Sequence, residues 1–127
     1  MGLISVESPA DFEAKFAEVK EQETVIAIFK GSTDPSTGVS WCDDCERADP
    51  FVHAALLKVT TDRPVLVCDV GLRDDWKGRP EHIYRNHPST RLSGVPTVIR
   101  YQFGHEVARL VEGQLLNQAI VDEVIAS

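Results

Sequence analysis

Two runs rich in apolar residues stand out in the hydrophobic pattern of the chain, a continuous one at residues 24–29 and a second at residues 64–70. Both are rich in β-branched residues and lack polar alternation, as is typical of strands buried on both faces of a parallel sheet. Two later segments, residues 95–101 and 106–111, predict an antiparallel hairpin. Residues 3–6 are long enough for a short first strand.

Helical spacing of apolar residues marks the segments between these strands. Ser8 stands directly before Pro9, a pair that favours a capped helix start. The pattern predicts helices over residues 9–20, from a cysteine pair near position 42 to about residue 59, over residues 81–85 in a polar segment, and over residues 114–125.

Helices that alternate with buried strands predict an α/β fold, with a central mixed sheet covered by helices on both faces. No linker or repeat interrupts the chain. We therefore expect residues 1–127 to form a single domain.

Composition narrows the classes of function. The 127 residues are 43% hydrophobic and carry a formal net charge of −7, which argues against binding to a nucleic-acid backbone. No apolar run is long enough to span a membrane, and the N-terminus lacks the pattern of a secretory signal. These features predict a soluble protein of a reducing, cytoplasmic compartment, and we expect it to be a monomer.

The chemistry is expected at Cys42 and Cys45, two of three cysteines in the chain. A structural zinc site needs four ligands, and His82 and His87 are badly spaced to complete one, so we expect no metal. A structural disulfide would close too small a loop to constrain the unfolded chain much. A redox dithiol fits better, because both residues lie at the start of a predicted helix, after a strand.

In this arrangement Cys42 is the expected nucleophile, since free backbone N–H groups and the helix dipole favour its thiolate. Cys45, one turn further along, is the expected resolving thiol. Asp43 and Asp44 have two interpretations. Acidic residues in the first turn of a helix interact favourably with the helix dipole. Their charges would also raise the Cys42 pKa and so tune the redox couple. Such charges would repel acidic substrates.

The segment from Trp41 to Cys45 resembles the thioredoxin motif Trp-Cys-Gly-Pro-Cys. Pro50 is similar in position to the helix-kinking proline of thioredoxins. Val95-Pro96-Thr97 resembles their cis-proline loop, which faces the reactive disulfide. The resemblance implies a thioredoxin fold in which Trp41, Val95 and Pro96 border the substrate groove.

The match is closer to one branch, the 14 kDa thioredoxin-related proteins, also called the thioredoxin domain-containing protein 17 family. A long polar loop follows Gly31-Ser32, and Asp44 matches the Trp-Cys-Pro-Asp-Cys motif of that branch. The run from Cys68 to Gly71, with Trp76-Lys77 after it, resembles a second element of the branch.

This resemblance implies a cytosolic disulfide reductase with no bound cofactor, which receives electrons from NADPH through thioredoxin reductase. Its substrates would be disulfides in proteins or small molecules, and peroxide reduction is a further activity of the branch. The alternative is a non-catalytic redox sensor or protein-binding module on the same fold.

Two departures from the family pattern bear on mechanism. Ile28 stands where thioredoxins keep a buried aspartate that takes the proton of the resolving cysteine, so water or Asp44 must replace it. Asp43 replaces the proline of the branch.

Cys68, inside an apolar strand, is expected to be an inert core residue. Trp76 either borders the groove or packs its own segment.

Overall fold

The computed structural model describes residues 2–127. Its strands are β1 (Gly2–Val6), β2 (Val25–Lys30), β3 (Pro64–Asp69), β4 (Thr97–Gln102) and β5 (His105–Val111). Its helices are α1 (Pro9–Val19), α2 (Asp43–Leu56), α3 (Arg73–Trp76), α4 (Ile83–Asn86) and α5 (Gln118–Ala126), with a 3₁₀ helix at Glu112–Leu116.

The strands form one five-stranded mixed sheet in the order β1-β3-β2-β4-β5. The pairs β1–β3 and β2–β3 are parallel, whereas β4 runs antiparallel to both β2 and β5. The central position of β2 and β3 explains their continuous apolar runs, because neither strand has a free edge or an exposed face.

Helices cover both faces of this sheet. On one face, Ala27 and Phe29 of β2 pack in a core with residues of α1, α3 and α4. On the other face, Ile26 and Ile28 pack against α2 and α5. The alternation of neighbouring β2 residues between two cores follows from the two-residue period of a strand. The predicted α/β fold with helices on both faces is confirmed.

The N-terminal part of the chain follows its prediction closely. Ser8 caps α1, and its hydroxyl accepts a hydrogen bond from the backbone N–H of Asp11 at 3.1 Å.

The hairpin between β4 and β5 turns on Phe103 and Gly104, whose φ angles are 50° and 85°. Two positive φ angles in a two-residue turn are typical of a tight hairpin.

Several predicted boundaries are wrong. The second helix ends at Leu56 rather than near residue 59, β4 begins at Thr97 rather than at residue 95, and α3 was not predicted. The last predicted helix is divided at Asn117, whose side-chain oxygen accepts a hydrogen bond from the N–H of Ile120 and starts α5 as a new helix.

Within residues 2–127, none of the helices has the length and apolar character that crossing a lipid bilayer requires.

Candidate functional site

Cys42 and Cys45 lie at the N-terminus of α2 and are joined as a disulfide with Cα atoms 5.2 Å apart. Cys42 is the N-cap residue, and its sulfur accepts a hydrogen bond from the backbone N–H of Cys45 at 3.2 Å. An N–H donor and the positive end of the 14-residue helix stabilise negative charge on this sulfur in the reduced state. The structure therefore brings the two predicted redox residues together.

Gly31, the first residue after β2, brings the backbone into close contact with this disulfide. Its N–H donates to the sulfur of Cys45 at 3.5 Å. A Cβ on Gly31 would lie 2.6 Å from Cε2 of Trp41 and 2.9 Å from Cβ of Cys42. Only a residue without a side chain fits here. No local pattern in the sequence indicates this role of Gly31.

Trp41 fixes the loop before the disulfide to the neighbouring strand end. Its indole Nε1–H donates to the carbonyl of Gly71 at 2.8 Å. Gly71 has a φ of 103°, and a Cβ there would collide with the side chain of Asp75. The N–H of Ser32 also donates to the Gly71 carbonyl, at 3.0 Å. The loops that follow β2 and β3 are thus bonded to each other at the edge where α/β sheets carry their sites.

The polar loop between β2 and α2 is held by its own hydrogen bonds. Thr33 and Ser40 form an isolated antiparallel bridge. The hydroxyl of Ser40 donates to the Gly31 carbonyl at 2.9 Å and accepts from the N–H of Cys42 at 3.2 Å. Hydrogen bonds from Ser36 lower the pKa of Asp34. These contacts give Cys42 a defined position in spite of the long loop.

Val95 lies beside the disulfide, and Pro96 follows it in the chain. The peptide bond between them is cis, as the family resemblance implies. The carbonyl oxygen of Val95 lies 3.9 Å from the sulfur of Cys42. The buried hydroxyl of Thr97 donates to the Gly94 carbonyl at 2.6 Å, which fixes the bend of this loop. Of the three residues predicted to border the groove, Trp41 and Val95 line a cleft beside the disulfide, and Pro96 is joined to Val95 by the cis bond.

Asp43 and Asp44 are both exposed in the first turn of α2, but they differ in their surroundings. Asp44 forms an exposed ion pair with Arg47 one turn later. Asp43 has no ion pair within the described chain. The charge of Asp43 is therefore less compensated than that of Asp44, a difference that the sequence alone did not reveal.

The position of the missing buried aspartate is apolar. Ile28 is 7% exposed and packs in the core beneath α2. The hydrogen bond that the structure gives to the sulfur of Cys45 comes from the N–H of Gly31, which donates a proton and accepts none. That water or Asp44 takes the Cys45 proton stays a prediction.

Cys68 lies in β3 and is fully buried, as expected. Burial, and next the charge of Asp69, raises the pKa of its thiol. Burial likewise raises the pKa of Asp69. A thiol kept protonated in the core is a poor nucleophile, so Cys68 differs from the cysteines of α2 in its chemistry.

A cleft of about 800 Å³ opens beside the disulfide, a volume within the range of small-molecule sites. Trp76 borders this cleft and is also packed in the core at 3% exposure, so both readings of this residue hold. No motif or periodicity in the sequence marks the charged residues that line the cleft: Arg47, Arg73, Arg85 and Glu112. Lys77, which also lines it, stands in the sequence only as part of the family element with Trp76.

Within residues 2–127, histidine, cysteine, aspartate and glutamate side chains form no group of three or more that could hold a metal ion. His82 caps α4, and His87 contacts Glu13.

Comparison with known proteins adds to this geometry. The model of the family described as thioredoxin domain-containing protein 17-like, thioredoxin domain, matches residues 5–127. The chain belongs to this family. Thioredoxin domain-containing protein 17 of Mus musculus is 33% identical over 117 residues, which cover 91% of this chain and 89% of that protein. Thioredoxin-like protein Clot of Arabidopsis thaliana is 31% identical over 112 residues, with 84% and 83% coverage.

Solved structures confirm the thioredoxin fold. Oxidised thioredoxin O2 of Arabidopsis thaliana superposes with a TM-score of 0.66 at 14% identity, covering 98% of this chain and 95% of that one. A thioredoxin of Schistosoma mansoni has a TM-score of 0.62 at 21% identity, covering 98% and 93%. Family membership and the close cysteine pair together support a thiol redox role for this chain.

Proposed function

We propose that this chain acts as one thioredoxin-like domain that reduces disulfides in proteins or small molecules, in a reducing cytoplasmic compartment. The observation that carries the proposal is the position of Cys42: it caps α2, accepts the Cys45 N–H and lies beside the cis Val95–Pro96 bond. This geometry favours a thiolate next to the edge where an extended substrate can lie.

The reaction runs in two exchanges. The Cys42 thiolate attacks one sulfur of the substrate disulfide, a mixed disulfide forms, and the other substrate sulfur leaves as a thiolate that takes up a proton. Cys45 then loses its proton and attacks the sulfur of Cys42, which releases the second substrate thiol. The substrate gains two electrons and two protons, and the protein ends as the Cys42–Cys45 disulfide.

Each further catalytic cycle requires reduction of that disulfide. By family resemblance, we propose thioredoxin reductase as the partner that supplies electrons from NADPH, with no cofactor bound to this chain. Reduction of peroxides would use the same dithiol and the same source of electrons.

A turnover assay tests the proposal. With NADPH, thioredoxin reductase and a disulfide substrate present, the wild type should sustain continuous oxidation of NADPH by the reductase. Cys42→Ser should abolish turnover, whereas Cys68→Ser, a matched control in the core, should stay within about a few-fold of wild type because the Cys68 thiol is buried and protonated. Equal losses in both variants would contradict the assignment.

A second measurement separates an enzyme from a sensor. Cys45→Ser should trap the substrate on Cys42 as a stable mixed disulfide, detectable by mass spectrometry. If Cys45→Ser traps a partner but the wild type is reduced once and shows no further turnover, the result would support a redox sensor instead. Hydrogen peroxide in place of the disulfide tests the peroxidase activity in the same assay.

A further inference from the structure

The cleft beside Cys42 carries charges of both signs on different elements. Its acidic residues are Asp43 and Asp44 of α2 and Glu112, the first residue of the 3₁₀ helix. Its basic residues are Arg47 of α2, Arg73 at the start of α3, Lys77 directly after α3, and Arg85 of α4. The cleft therefore has more basic than acidic side chains, although the whole chain has a net charge of −7.

These basic groups are not equally available to a ligand. Arg47 is paired with Asp44. The guanidinium of Arg85 donates to the carbonyls of Ser93 at 3.0 Å and Trp76 at 3.2 Å.

Arg73 and Lys77, which we call the basic wall, differ from both. Their side chains are exposed and have no ion pair or side-chain hydrogen bond with any residue from 2 to 127. They are the charges of the cleft that are free to meet an anion.

Backbone and core contacts hold the two residues of the basic wall in place. The N–H of Lys77 donates to the carbonyl of Arg73 at 2.8 Å, so the two residues lie one helical turn apart. Trp76, between them, is anchored in the core at 3% exposure. The guanidinium carbon of Arg85 lies 3.6 Å from the centre of the Trp76 ring. Since Arg85 also bonds to Ser93, the basic wall is tied to the loop that carries Val95.

We propose that Arg73 and Lys77 select disulfide substrates that carry a carboxylate close to the reacting sulfur. The inference rests on the proposed function, because it assumes that Cys42 attacks a disulfide. A carboxylate at the basic wall gains attraction while the disulfide reaches Cys42 in the same cleft. This attraction opposes the repulsion expected from Asp43 and from the net negative charge of the chain.

Three small disulfides of similar length test the selection: 3,3′-dithiodipropionate, a dianion; bis(2-hydroxyethyl) disulfide, which is neutral; and cystamine, a dication. Protein reduced beforehand with dithiothreitol and desalted is mixed with excess probe, quenched by alkylation and examined by mass spectrometry. The rate constant for each probe is then divided by that for the neutral probe. This ratio cancels any general loss of reactivity, and the assay needs no reductase.

The variants are Arg73→Gln, Lys77→Gln and, as the matched control, Lys20→Gln, whose exposed side chain lies at the end of α1, near the opposite end of the sheet. Each variant of the basic wall should lower the anionic-to-neutral ratio by about twofold to fivefold, as one exposed and screened charge contact allows. The cationic-to-neutral ratio should rise. Both changes should shrink in high salt, and Lys20→Gln should leave both ratios as in wild type.

Three results distinguish the possible failures. A folded wild type that fails to react with the neutral probe would overturn the proposed function itself. Reaction with the neutral probe, but equal ratios in Arg73→Gln, Lys77→Gln and Lys20→Gln, would overturn only the selection by charge. The same loss on all three probes would assign Arg73 and Lys77 a structural role and overturn it too.

Discussion

Replacing Gly31 by alanine should disturb the redox centre through packing alone. The added Cβ would lie 2.6 Å from Cε2 and 2.8 Å from Nε1 of Trp41, and 2.9 Å from Cβ of Cys42. These separations are far below van der Waals contact, so at least one group must move. The indole is bonded to Gly71 and the Cys42 side chain is held in the disulfide, so neither can move without losing a contact.

The expected magnitude follows from two opposing effects. Overpacking of this kind costs about 1–3 kcal/mol. Any glycine-to-alanine change at an unstrained position also stabilises by about 0.4–1 kcal/mol, because it restricts the unfolded chain. Gly113→Ala is the matched control, since a Cβ at Gly113 meets nothing within 4 Å. The difference between the two variants therefore isolates the packing cost, and Gly31→Ala should be the less stable by about 1–3 kcal/mol.

Guanidinium unfolding of the oxidised proteins measures the free energy of unfolding of both variants. A Trp41→Ala background tests the cause: Gly31→Ala should cost less there, because two of the three atoms that the Cβ would meet belong to the indole. Some cost should remain from Cys42. Equal free energies of unfolding for Gly31→Ala and Gly113→Ala would refute the reasoning, and a cost unchanged by Trp41→Ala would refute the role of the indole.

Three further predictions concern the thiols. Burial raises the pKa of the Cys68 thiol in the folded state, whereas the thiol of the unfolded chain has a pKa of about 8.5. Above that pH the unfolded state loses its proton first, so the free energy of unfolding of the oxidised wild type should fall by about 1.4 kcal/mol per pH unit. Unfolding curves of Cys68→Ala that show the same slope would contradict this. Protein purified under reducing conditions should contain no stoichiometric zinc, and one tightly bound equivalent in elemental analysis would argue against a redox dithiol. Asp43→Asn should lower the Cys42 pKa by less than about one unit and raise the redox potential by about 10–20 mV. The shift should be smaller in high salt, and smaller also in Asp44→Asn, because Asp44 is paired with Arg47. A shift that salt does not change would indicate an effect on backbone shape.

The sheet could be predicted from sequence because its central strands have a clear local signature. β2 and β3 are mostly apolar runs of six residues, and their short length and their content of Val and Ile favour a buried strand over a helix. The helix α3 has four residues, too few for any period to be visible. The division of the last predicted helix depends on Asn117, which fits both a helix interior and a cap, and only the hydrogen bond to Ile120 decides between them.

The cysteine pair of the site could also be predicted, because the spacing of Cys42 and Cys45 defines one helical turn. The contacts around the pair could not. Trp41 meets the Gly71 carbonyl across 30 positions, and Cys42 meets Val95 across 53. Such partners are set by the packing of strand ends, which local patterns do not encode.

On these proposals, reactivity and substrate selection belong to different parts of the chain. The sulfurs are positioned by α2 and by Gly31, so their nucleophilic character depends on the helix terminus, the Gly31 N–H and the charge of Asp43. The basic wall is positioned by α3, by the buried Trp76 and by Arg85. Substitution of the basic wall should therefore change which disulfide reacts while changing the reaction with a neutral disulfide little, whereas Asp43→Asn should alter both. The sulfurs lie on α2 and the basic wall lies at α3, so the two groups can be substituted separately, although hydrogen bonds from Trp41 and Ser32 to the Gly71 carbonyl join the loops that carry them.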